Sequence, residues 1–448
     1  MFIARNDAGK RLADRLKSAI EVAIVRPGPI QGGMVHPYLQ RRQGLVPVDY
    51  PGAGLRAALE RTLGVPIFQE QVMQIAMLAA GFSAGESDSL RRSMAAWKRK
   101  GGVHKFHDRM VSGMVANGYT EEFAQGIFKQ IEGFGEYGFP ESHAASFALL
   151  VYVSCWLKHH EPACFLAAML NSQPLGFYSP SQLVQDAQRH GVPVRAVDVM
   201  CSDWDCTMEA PAVRLGLCMV AGLATAAAQR IVEARTEAPF TSTEDLALRA
   251  ELDAGDLKAL ASADALISLS GHRRQQVWDA SALKRAPPLL KAAPVEEDWL
   301  ELPAASEGTE VVFDYAATGL TLRSHPLALL RGQLTPMKLQ TAAQLRDLPS
   351  GRLVRACGLV VMRQQPQTAK GVVFVTLEDE TGSVNVIVWK SLREQQRSEL
   401  LHSRLMAVYG VWQRDVESGG EVRHLIAKRL VDLTPMLGGL ATQSREFH

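Results

Sequence analysis

The chain contains 448 residues, of which 47% are hydrophobic, and its formal net charge is +1. This length and composition suit about two to four domains with packed cores. Because the net charge is close to zero, any nucleic-acid surface must be a local patch. No apolar run is long enough to span a membrane, and residues 1–19 lack the apolar core of a secretory signal. We therefore expect a cytoplasmic protein without a membrane partner.

The six cysteines show no metal-site or disulfide pattern. None belongs to a C-x-x-C pair, and the spacing of Cys201 and Cys206 is not one that zinc sites use. His104 and His107 lie close together in the sequence but have no third ligand nearby. We predict reduced thiols in the core, exposed histidines and no metal site.

The N-terminal region contains one fixed-geometry loop. Residues 1–20 are basic and polar, and we expect them to be helical in part. Residues 26–33, RPGPIQGG, combine prolines and glycines that favour a tight loop. Arg26 before this loop, and Arg41 with Arg42 after it, can hold phosphates. A surface turn without a ligand is the alternative.

Two helices joined by a capped turn are predicted between residues 65 and 102. Phe68–Ala80 has apolar residues at helical spacing, and Gly81 can end that helix in a left-handed conformation. Ser83 and Glu86 form a capping box for the next helix. The apolar stripe of this second helix is Leu90, Met94 and Trp97.

Cations lie beside that stripe. Arg91 and Lys98 share one helix face, and Arg92 and Arg99 form a neighbouring row. A row of cations on a rigid helix suits a triphosphate or a nucleic-acid backbone. A solvated surface helix is the alternative.

A loop and a long apolar helix are predicted next. Glycines alternate with aromatic residues over residues 133–139, which allows close backbone approach and stacking. Ser142 is a candidate N-cap with His143 in the first turn, where helix amides favour an anion. Ala144–Leu157 is predicted to be a buried helix that ends in Lys158, His159 and His160.

Together these stretches resemble the fingers region of bacterial C-family DNA polymerases, the family of the polymerase III alpha subunit. The resemblance lies in the Q-E-Q of residues 69–71, the L-R-R-x-M of residues 90–94 and the S-H-A-A of residues 142–145. Residues 175–192, LGFYSPSQLVQDAQRHGV, resemble its error-prone branch. Gly33 stands where the family usually has an acidic residue. The resemblance implies that the incoming deoxynucleoside triphosphate is bound by Arg26, Gln69, Arg91, Arg92, Lys98, Ser142 and His143.

Residues 213–280 resemble helix-hairpin-helix units. Val220–Ala224, followed by Ala228 and Ile231, fits the pattern in which a tight turn points backbone amides at a DNA phosphate. Ala224 replaces the second glycine of that pattern, which weakens phosphate approach. Leu252–Leu269 is a degenerate second unit, and an ordinary helical pair is the alternative. The DNA-binding residues implied here are Gly222, Ala224 and Arg230.

An OB-fold is predicted near the C-terminus. Strand patterns cover Leu353–Arg363, Val372–Leu377, Val384–Trp389 and Leu405–Gln413, with a turn at Asp379–Gly382 and a helix at Ser391–Leu401. Such barrels bind single strands through stacking and a basic groove, although a barrel used only for packing is the alternative. The candidate DNA-binding residues are Arg355, Arg363, Phe374 and Trp389.

The predicted architecture is mainly α with a C-terminal β-barrel. Residues 1–20 do not match the family, and a small α/β element is expected, with a helix at Ser181–His190 and a strand at Val192–Val197. The remaining predicted segments are the fingers region (21–200), the helix-hairpin-helix region (201–283), a linker and packing segment (284–345, of which 284–310 is the linker), the OB-fold (346–435) and a frayed tail (436–448).

The polymerase reaction requires carboxylates that hold two divalent metal ions. In this family they come from a D-x-D motif in the palm, whereas the only such spacing here, Asp203–Asp205, lies downstream of the fingers. We therefore expect the C-terminal part of an error-prone polymerase, without the palm and the phosphoesterase-like domain, whose intact form uses Mg²⁺. A non-catalytic DNA-binding remnant is the alternative, and a palm supplied in trans is a third. Expected partners are primer–template DNA, deoxynucleoside triphosphates and other translesion proteins; no clamp-binding peptide is evident, so the sliding clamp stays an open candidate.

Overall fold

The computed structural model describes residues 12–24, 35–48, 50, 53–95, 104–134, 140–176, 178–283, 300–366, 371–414, 422–442 and 444–447. The chain divides into two compact units, Met1–His160 (unit 1) and Glu161–His448 (unit 2). Residues 161–200, which we had assigned to the fingers region, therefore belong to the second unit.

Unit 1 is helical throughout its described part. One apolar core holds it together and includes Phe68, Ile75, Leu90, Met94 and Met110, all fully buried. The helices are α1 (Leu12–Ile24), α2 (Val35–Arg42), α3 (Ala53–Leu59), α4 (Gln69–Ala80), α5 (Ala84–Ala95), α6 (His107–Ala116), α7 (Glu121–Phe134) and α8 (Glu141–His160).

The turn between α4 and α5 is confirmed as predicted. Gly81 ends α4 with φ 66°, a left-handed conformation that glycine adopts without steric cost. The Ser83 N–H donates to Glu86 Oε2 (2.8 Å), and the Glu86 N–H donates to Ser83 Oγ (3.3 Å), which completes the capping box. Local sequence chemistry therefore fixes this helical hairpin.

Helix α8 differs from its prediction as a buried helix. Only Ala144 and Ala148 are buried within it, and they pack on the core of unit 1. Five large apolar side chains on one face are exposed: Leu149 (55%), Leu150 (61%), Val153 (46%), Trp156 (41%) and Leu157 (37%). The apolar run of the sequence reflects a second apolar face that the described residues leave uncovered.

The first part of unit 2 is a helical layer around a small sheet. The helix predicted at Ser181–His190 is confirmed as α10, but the strand predicted at 192–197 is only the two-residue β1. The elements are α9 (Pro162–Asn171), α10 (Pro180–Arg189), β1 (Val194–Arg195), β2 (Thr207–Glu209), β3 (Ala212–Arg214), α11 (Thr225–Glu237), α12 (Thr243–Arg249), α13 (Ala254–Ser262), α14 (Ile267–Ser270) and α15 (Arg273–Ala282). The sheet has the order β1-β3-β2.

Two helices then connect this layer to the barrel. They are α16 (Glu307–Thr318) and α17 (Pro326–Leu334), followed by the short α18 (Ala342–Arg346). Within the stretch 284–310 that we read as a linker, residues 284–299 lie outside the described residues, and the helix α16 already begins at Glu307. Arg273 of α15, only 2% exposed, bonds Glu310 and Asp314 of α16, so a buried ion cluster holds this segment in place.

The C-terminal part is a closed barrel of the OB type. Its strands are β4 (Leu353–Gln364), β5 (Val373–Asp379), β6 (Gly382–Val388), β7 (Leu405–Arg414) and β8 (Arg423–Asp432), with α19 (Lys390–Gln395) and α20 (Arg397–His402) between β6 and β7. The order β5-β6-β8-β7-β4 closes because β4 also pairs with β5. The predicted OB-fold is confirmed, although β8 was missed, and the predicted helix at Ser391–Leu401 is two short helices.

The C-terminal tail is ordered, contrary to the predicted frayed end. Leu437 and Leu440 are buried, and a ninth strand, β9 (Arg445–Phe447), pairs in parallel with β4 at Met362–Gln364. Arg445 Nη1 also donates to the carbonyls of Leu175 (2.7 Å) and Gly176 (2.6 Å). None of the helices in the described ranges is both long and apolar enough to cross a bilayer.

Candidate nucleic-acid interface

The two arginines of α5 are held by one carboxylate of the same helix. Asp88 lies one turn before them and accepts bonds from Arg91 Nη2 (2.8 Å) and Arg92 Nε (2.7 Å). These bonds hold the pKa of the Asp88 carboxyl below its usual range, with Arg92 the larger cause. The pair therefore presents a partly neutralised cation cluster, and a phosphate must compete with Asp88 for it.

The remaining cations of this prediction fall into two groups. Arg26, Lys98 and Arg99 lie outside the described residues, as does Trp97. Arg41 donates to the Leu63 carbonyl (2.7 Å), and Arg42 pairs with Glu21 (2.8 Å). Those last two arginines have structural partners in unit 1.

The Q-E-Q stretch organises the start of two helices. Gln71 is fully buried and bonds Ile67 N (2.9 Å), Ala58 O (3.0 Å) and Thr62 Oγ1 (2.8 Å), which joins α3 to α4. Glu70 Oε2 accepts from the Glu141 N–H (3.0 Å) at the start of α8. Gln69 is only 8% exposed, so little of its side chain is accessible to a nucleotide. Its contact with the nucleotide stays a prediction.

The antiparallel packing of α4 and α5 brings these elements to one end of unit 1. Ser87 Oγ donates to the Met73 carbonyl (3.1 Å), so the next turn of α5, with Arg91, runs toward the Gln69 end of α4. That same end of α4 holds the start of α8 through Glu70. The arginine pair and the first turn of α8 therefore share one end of the helical bundle.

The predicted N-cap at Ser142 is wrong. Helix α8 begins at Glu141, and the Ala144 N–H bonds the Pro140 carbonyl, because Glu70 supplies the capping carboxylate from another helix. His143 does lie in the first turn, where it is exposed and its ring contacts Phe147 (4.6 Å between centroids). Any anion at this end of α8 meets a site that Glu70 already occupies.

The predicted DNA hairpin is well formed at Val220–Ala224. Gly222 has φ 86° and is exposed, and Ala224 has φ −76° and ψ 144°, a conformation that any residue adopts. No side chain caps the following helix, α11. The exposed amides at the start of α11 are therefore available to a phosphate oxygen. Ala224 changes how closely a phosphate can approach these amides, but it does not change the backbone conformation of the turn.

Arg230 and the second hairpin have structural roles. Arg230 donates to the carbonyls of Ala250 (2.7 Å) and Glu251 (3.2 Å), which caps the end of α12. In the second helix-hairpin-helix unit, the turn after α13 contains Asp264, which has φ 60°. Its carboxylate accepts hydrogen bonds from Gln276 and Arg323 (2.6 Å each). This turn therefore carries a carboxylate paired with Arg323 where the first hairpin carries the exposed Gly222.

The structure corrects the prediction that Arg363 lies on the DNA-binding surface of the barrel. Its side chain is buried (7% exposed), and its Nε donates to the Leu400 carbonyl (2.7 Å). It also bonds Ser403 O and Ser444 Oγ. These contacts pin the end of α20 and the C-terminal segment to β4, so Arg363 is committed to the fold.

A stacked cluster of two arginines and a half-buried tyrosine lies on β4, β7 and β8 of the barrel. Tyr409 lies between two guanidinium groups, with Arg355 Cζ 5.0 Å and Arg429 Cζ 5.7 Å from its ring centroid. Strand register explains this, because Tyr409 pairs with Arg355 on one side and Arg429 on the other. Both arginines are exposed. We call Arg355, Tyr409 and Arg429 the stacking patch.

Sequence reasoning found only one of those three residues. Arg355 was predicted. Tyr409 was missed although its strand β7 was predicted, and Arg429 was missed because β8 was not recognised as a strand. The two predicted aromatics lie on a different side of the barrel. Phe374 on β5 is half-buried and pairs with Ile387, and Trp389 after β6 is 52% exposed.

Family models of known proteins match three segments of this organisation. The bacterial DNA polymerase III alpha subunit finger domain matches residues 16–118, a helix-hairpin-helix motif matches 191–276, and an OB-fold nucleic acid binding domain matches 346–433. The error-prone DNA polymerase of Bordetella bronchiseptica is 59% identical over 96% of this chain and 42% of its own length. Those of Alkalilimnicola ehrlichii (57%, 96% and 42%) and Burkholderia pseudomallei (58%, 96% and 41%) are similar.

The chain is a homologue of error-prone DNA polymerases, and its three matched domains fit the C-terminal portion of a C-family polymerase. It spans about two fifths of the length of the curated relatives it matches. Among solved structures, asparaginyl-tRNA synthetase from Pyrococcus horikoshii is 20% identical over 21% of this chain and 23% of that chain, with a TM-score of 0.19, which is too low to indicate a shared fold.

The described part of the chain does not fit a metal centre. Among those residues, no group of three or more His, Cys, Asp or Glu side chains can hold a metal ion. Asp203, from the only D-x-D spacing, pairs with Arg235 Nη2 (2.6 Å). All six cysteines are free. Cys206 and Cys357 are buried and Cys218 packs against the same core as Cys206, whereas Cys164 and Cys201 are exposed, so the predicted core location is wrong for those two.

Proposed function

We propose that this chain is the nucleotide- and DNA-binding portion of a DNA-directed DNA polymerase that carries out translesion synthesis and repair after DNA damage. The observation that carries the proposal is the 59% identity over 96% of the chain to an error-prone DNA polymerase. In this proposal the end of unit 1 with Arg91 and Arg92 meets the incoming deoxynucleoside triphosphate. The hairpin at Gly222 holds duplex backbone, and the barrel holds single-stranded template.

The chemical step needs groups that the described residues do not supply. Polymerases bind divalent metal ions, Mg²⁺ in this proposal, through carboxylates that activate the 3′-hydroxyl and hold the leaving pyrophosphate. Since no such group is found among the described residues, we place the metal ligands in the polymerase residues outside this chain. The present residues then bind and orient the triphosphate and the DNA.

The exposed face of α8 supports the proposal that the metal ligands lie in another part of the polymerase. Its five apolar side chains lie at spacings of one helix face, and the matched relatives are more than twice as long as this chain. A contiguous apolar face of this kind marks a packing surface. The proposed occupant is the remaining part of the polymerase, the part that holds the metal ions.

Primer extension tests the proposal. The chain alone is expected to bind primer–template without extending it. With the remaining portion of the Bordetella bronchiseptica polymerase added, we expect extension past a template lesion. Extension should be lost with Arg91→Ala combined with Arg92→Ala, and with Leu150→Asp on the α8 face, while DNA binding by the chain is retained. Extension by the chain alone would place the catalytic carboxylates within it.

A non-catalytic DNA-binding protein is the second candidate. It is favoured by the same lack of a metal group among the described residues. Under that alternative, the added portion restores no extension while DNA binding persists. Other translesion proteins, a sliding clamp and a cytoplasmic location follow from the polymerase proposal, and co-purification tests the partners.

Asp88 gives a test of the nucleotide site. Asp88→Ala is expected to raise the affinity for a deoxynucleoside triphosphate about two- to fivefold, because it frees both arginines from a carboxylate that competes with phosphate in weak, exposed ion pairs. Displacement of a fluorescent nucleotide measures it. Asp108→Ala, an exposed carboxylate on α6, is the matched control and should change nothing. Equal effects of both variants would indicate a general charge effect and not release of the arginine pair.

A further inference from the structure

Two cysteines lie in contact beside the DNA hairpin. Cys206 immediately precedes β2, and Cys218 lies in the 3₁₀ turn Leu217–Met219, directly before the hairpin at Val220–Ala224. Between them the strands β2 and β3 fold back on each other, with Thr207 opposite Arg214. Both cysteines belong to the same apolar core, and each thiol shifts the pKa of the other, so the two side chains are neighbours.

The backbone holds this pair firmly. The Leu217 N–H donates to the Asp203 carbonyl (2.8 Å), and the Cys218 N–H donates to the Trp204 carbonyl (2.9 Å). The Gly216 N–H donates to Cys206 Sγ (3.3 Å). A Cβ on Gly216 would lie 2.3 Å from the Trp204 carbonyl oxygen, so glycine is what allows this close approach. The thiols therefore meet because two chain segments are fixed side by side.

The two thiols are not equivalent. Cys206 is only 3% exposed, whereas Cys218 is half-buried. The neighbouring Cys206 thiol lowers the pKa of the Cys218 thiol, and the contact with Cys218 together with burial raises the pKa of the Cys206 thiol. The thiolate therefore forms at the more accessible sulfur, which is where attack on an external disulfide begins.

We propose that Cys206 and Cys218 form a reversible oxidation site, which closes to an intramolecular disulfide in the presence of a low-molecular-weight disulfide. The Cys218 thiolate attacks one sulfur of the reagent and releases its other half as a thiolate. Cys206, after losing its proton, attacks Cys218 Sγ and releases the second half. Two protein thiols are oxidised and one disulfide is reduced to two thiols. The closed bond ties the turn that leads into the hairpin to residues 203–206.

Oxidised glutathione is the probe. After incubation of the folded chain at neutral pH, free thiols are alkylated and the protein is digested without reduction. We expect a peptide that links Cys206 to Cys218, and it should disappear after treatment with a thiol reductant. Cys357, buried but without a thiol neighbour in the described residues, should remain unlinked. No linked peptide, or a dominant link from Cys201 to either cysteine, would overturn the proposal.

Two variants test the order of the steps. Cys206→Ser should leave Cys218 as a stable mixed disulfide with glutathione, because the resolving thiol is gone. Cys218→Ser should leave Cys206 unmodified, because that sulfur is buried. The reverse pattern would contradict the assigned roles. The wild-type measurement stands even if a variant fails to fold.

Discussion

Tyr409→Ala is expected to weaken binding of a short single-stranded DNA by about tenfold, since a base stacked on an aromatic side chain contributes about 1–3 kcal/mol. Tyr409 offers a ring already held between Arg355 and Arg429, so little ordering is needed when a base arrives. Fluorescence anisotropy with a labelled oligonucleotide measures the effect. Tyr409→Phe, which keeps the ring, should bind almost as tightly as the unmodified chain.

The two arginines of the stacking patch should act through the phosphates. Affinity for a single strand falls with added salt, and each replaced arginine should lower the slope of log K against log salt concentration by about 0.7. Arg355→Ala and Arg429→Ala test this, with Arg397→Ala, an exposed arginine at the start of α20, as the control. An unchanged slope in both patch variants would remove the patch from the DNA path.

Trp389→Ala distinguishes the two sides of the barrel. Trp389 follows β6, whereas Tyr409 lies on β7, and β8 separates those two strands. If single-stranded DNA binds along the stacking patch, Tyr409→Ala should lower the affinity for DNA much more than Trp389→Ala. The opposite ranking would favour the surface that the sequence alone predicted, with Phe374 and Trp389.

Local chemistry accounts for the predictions that the structure confirms. The Ser83–Glu86 capping box and the left-handed Gly81 depend on residues a few positions apart. Local strand-like composition marked four of the five barrel strands, with period-two alternation at Val384–Trp389. The Asp88 pairing was also readable, because carboxylate and arginines stand three and four residues apart. The predicted row of cations on this helix therefore omitted the carboxylate that pairs with two of them.

Contacts between distant segments account for the failures. Glu70 caps a helix that begins 71 residues later, and the carbonyls that engage Arg363 come from α20 and the loop after it. Neither arrangement leaves a local signature. The apolar run of α8 likewise says which side chains avoid water but not what covers them. A cation or an apolar residue in a sequence is a candidate whose partner only the fold supplies.

Arg273→Ala is expected to destabilise unit 2 by about 3–5 kcal/mol, because it leaves buried carboxylates without their cation. Arg273 is 2% exposed, and its Nη1 donates to Glu310 Oε2 (2.6 Å) and to the Glu310 carbonyl (2.9 Å), while its Nη2 bonds Asp314. Arg323 lies 3.3 Å from Glu310 and 3.4 Å from Asp314, so it compensates in part and favours the lower end of that range.

The measurement must report unit 2 alone, because a chain of two units need not unfold in one step. Hydrogen–deuterium exchange of peptides from α15 and α16 across a urea series meets this need. Arg274→Ala is the matched control. Arg274 is the next residue, exposed, with a single bond to the Pro303 carbonyl (3.3 Å), and its loss should change little.

Removing the carboxylates as well separates a buried-charge cost from a packing cost. Arg273→Met combined with Glu310→Gln and Asp314→Asn leaves no uncompensated charge in the cluster, and we expect it to recover a large part of the stability lost in Arg273→Met alone. If the triple variant is as unstable as the single one, the guanidinium acts chiefly by filling space between α15 and α16. Recovery would instead mean that Arg273 acts chiefly by compensating the two buried carboxylates. The ion cluster then selects this packing of α15 against α16, because any other arrangement would bury a charged side chain without its partner.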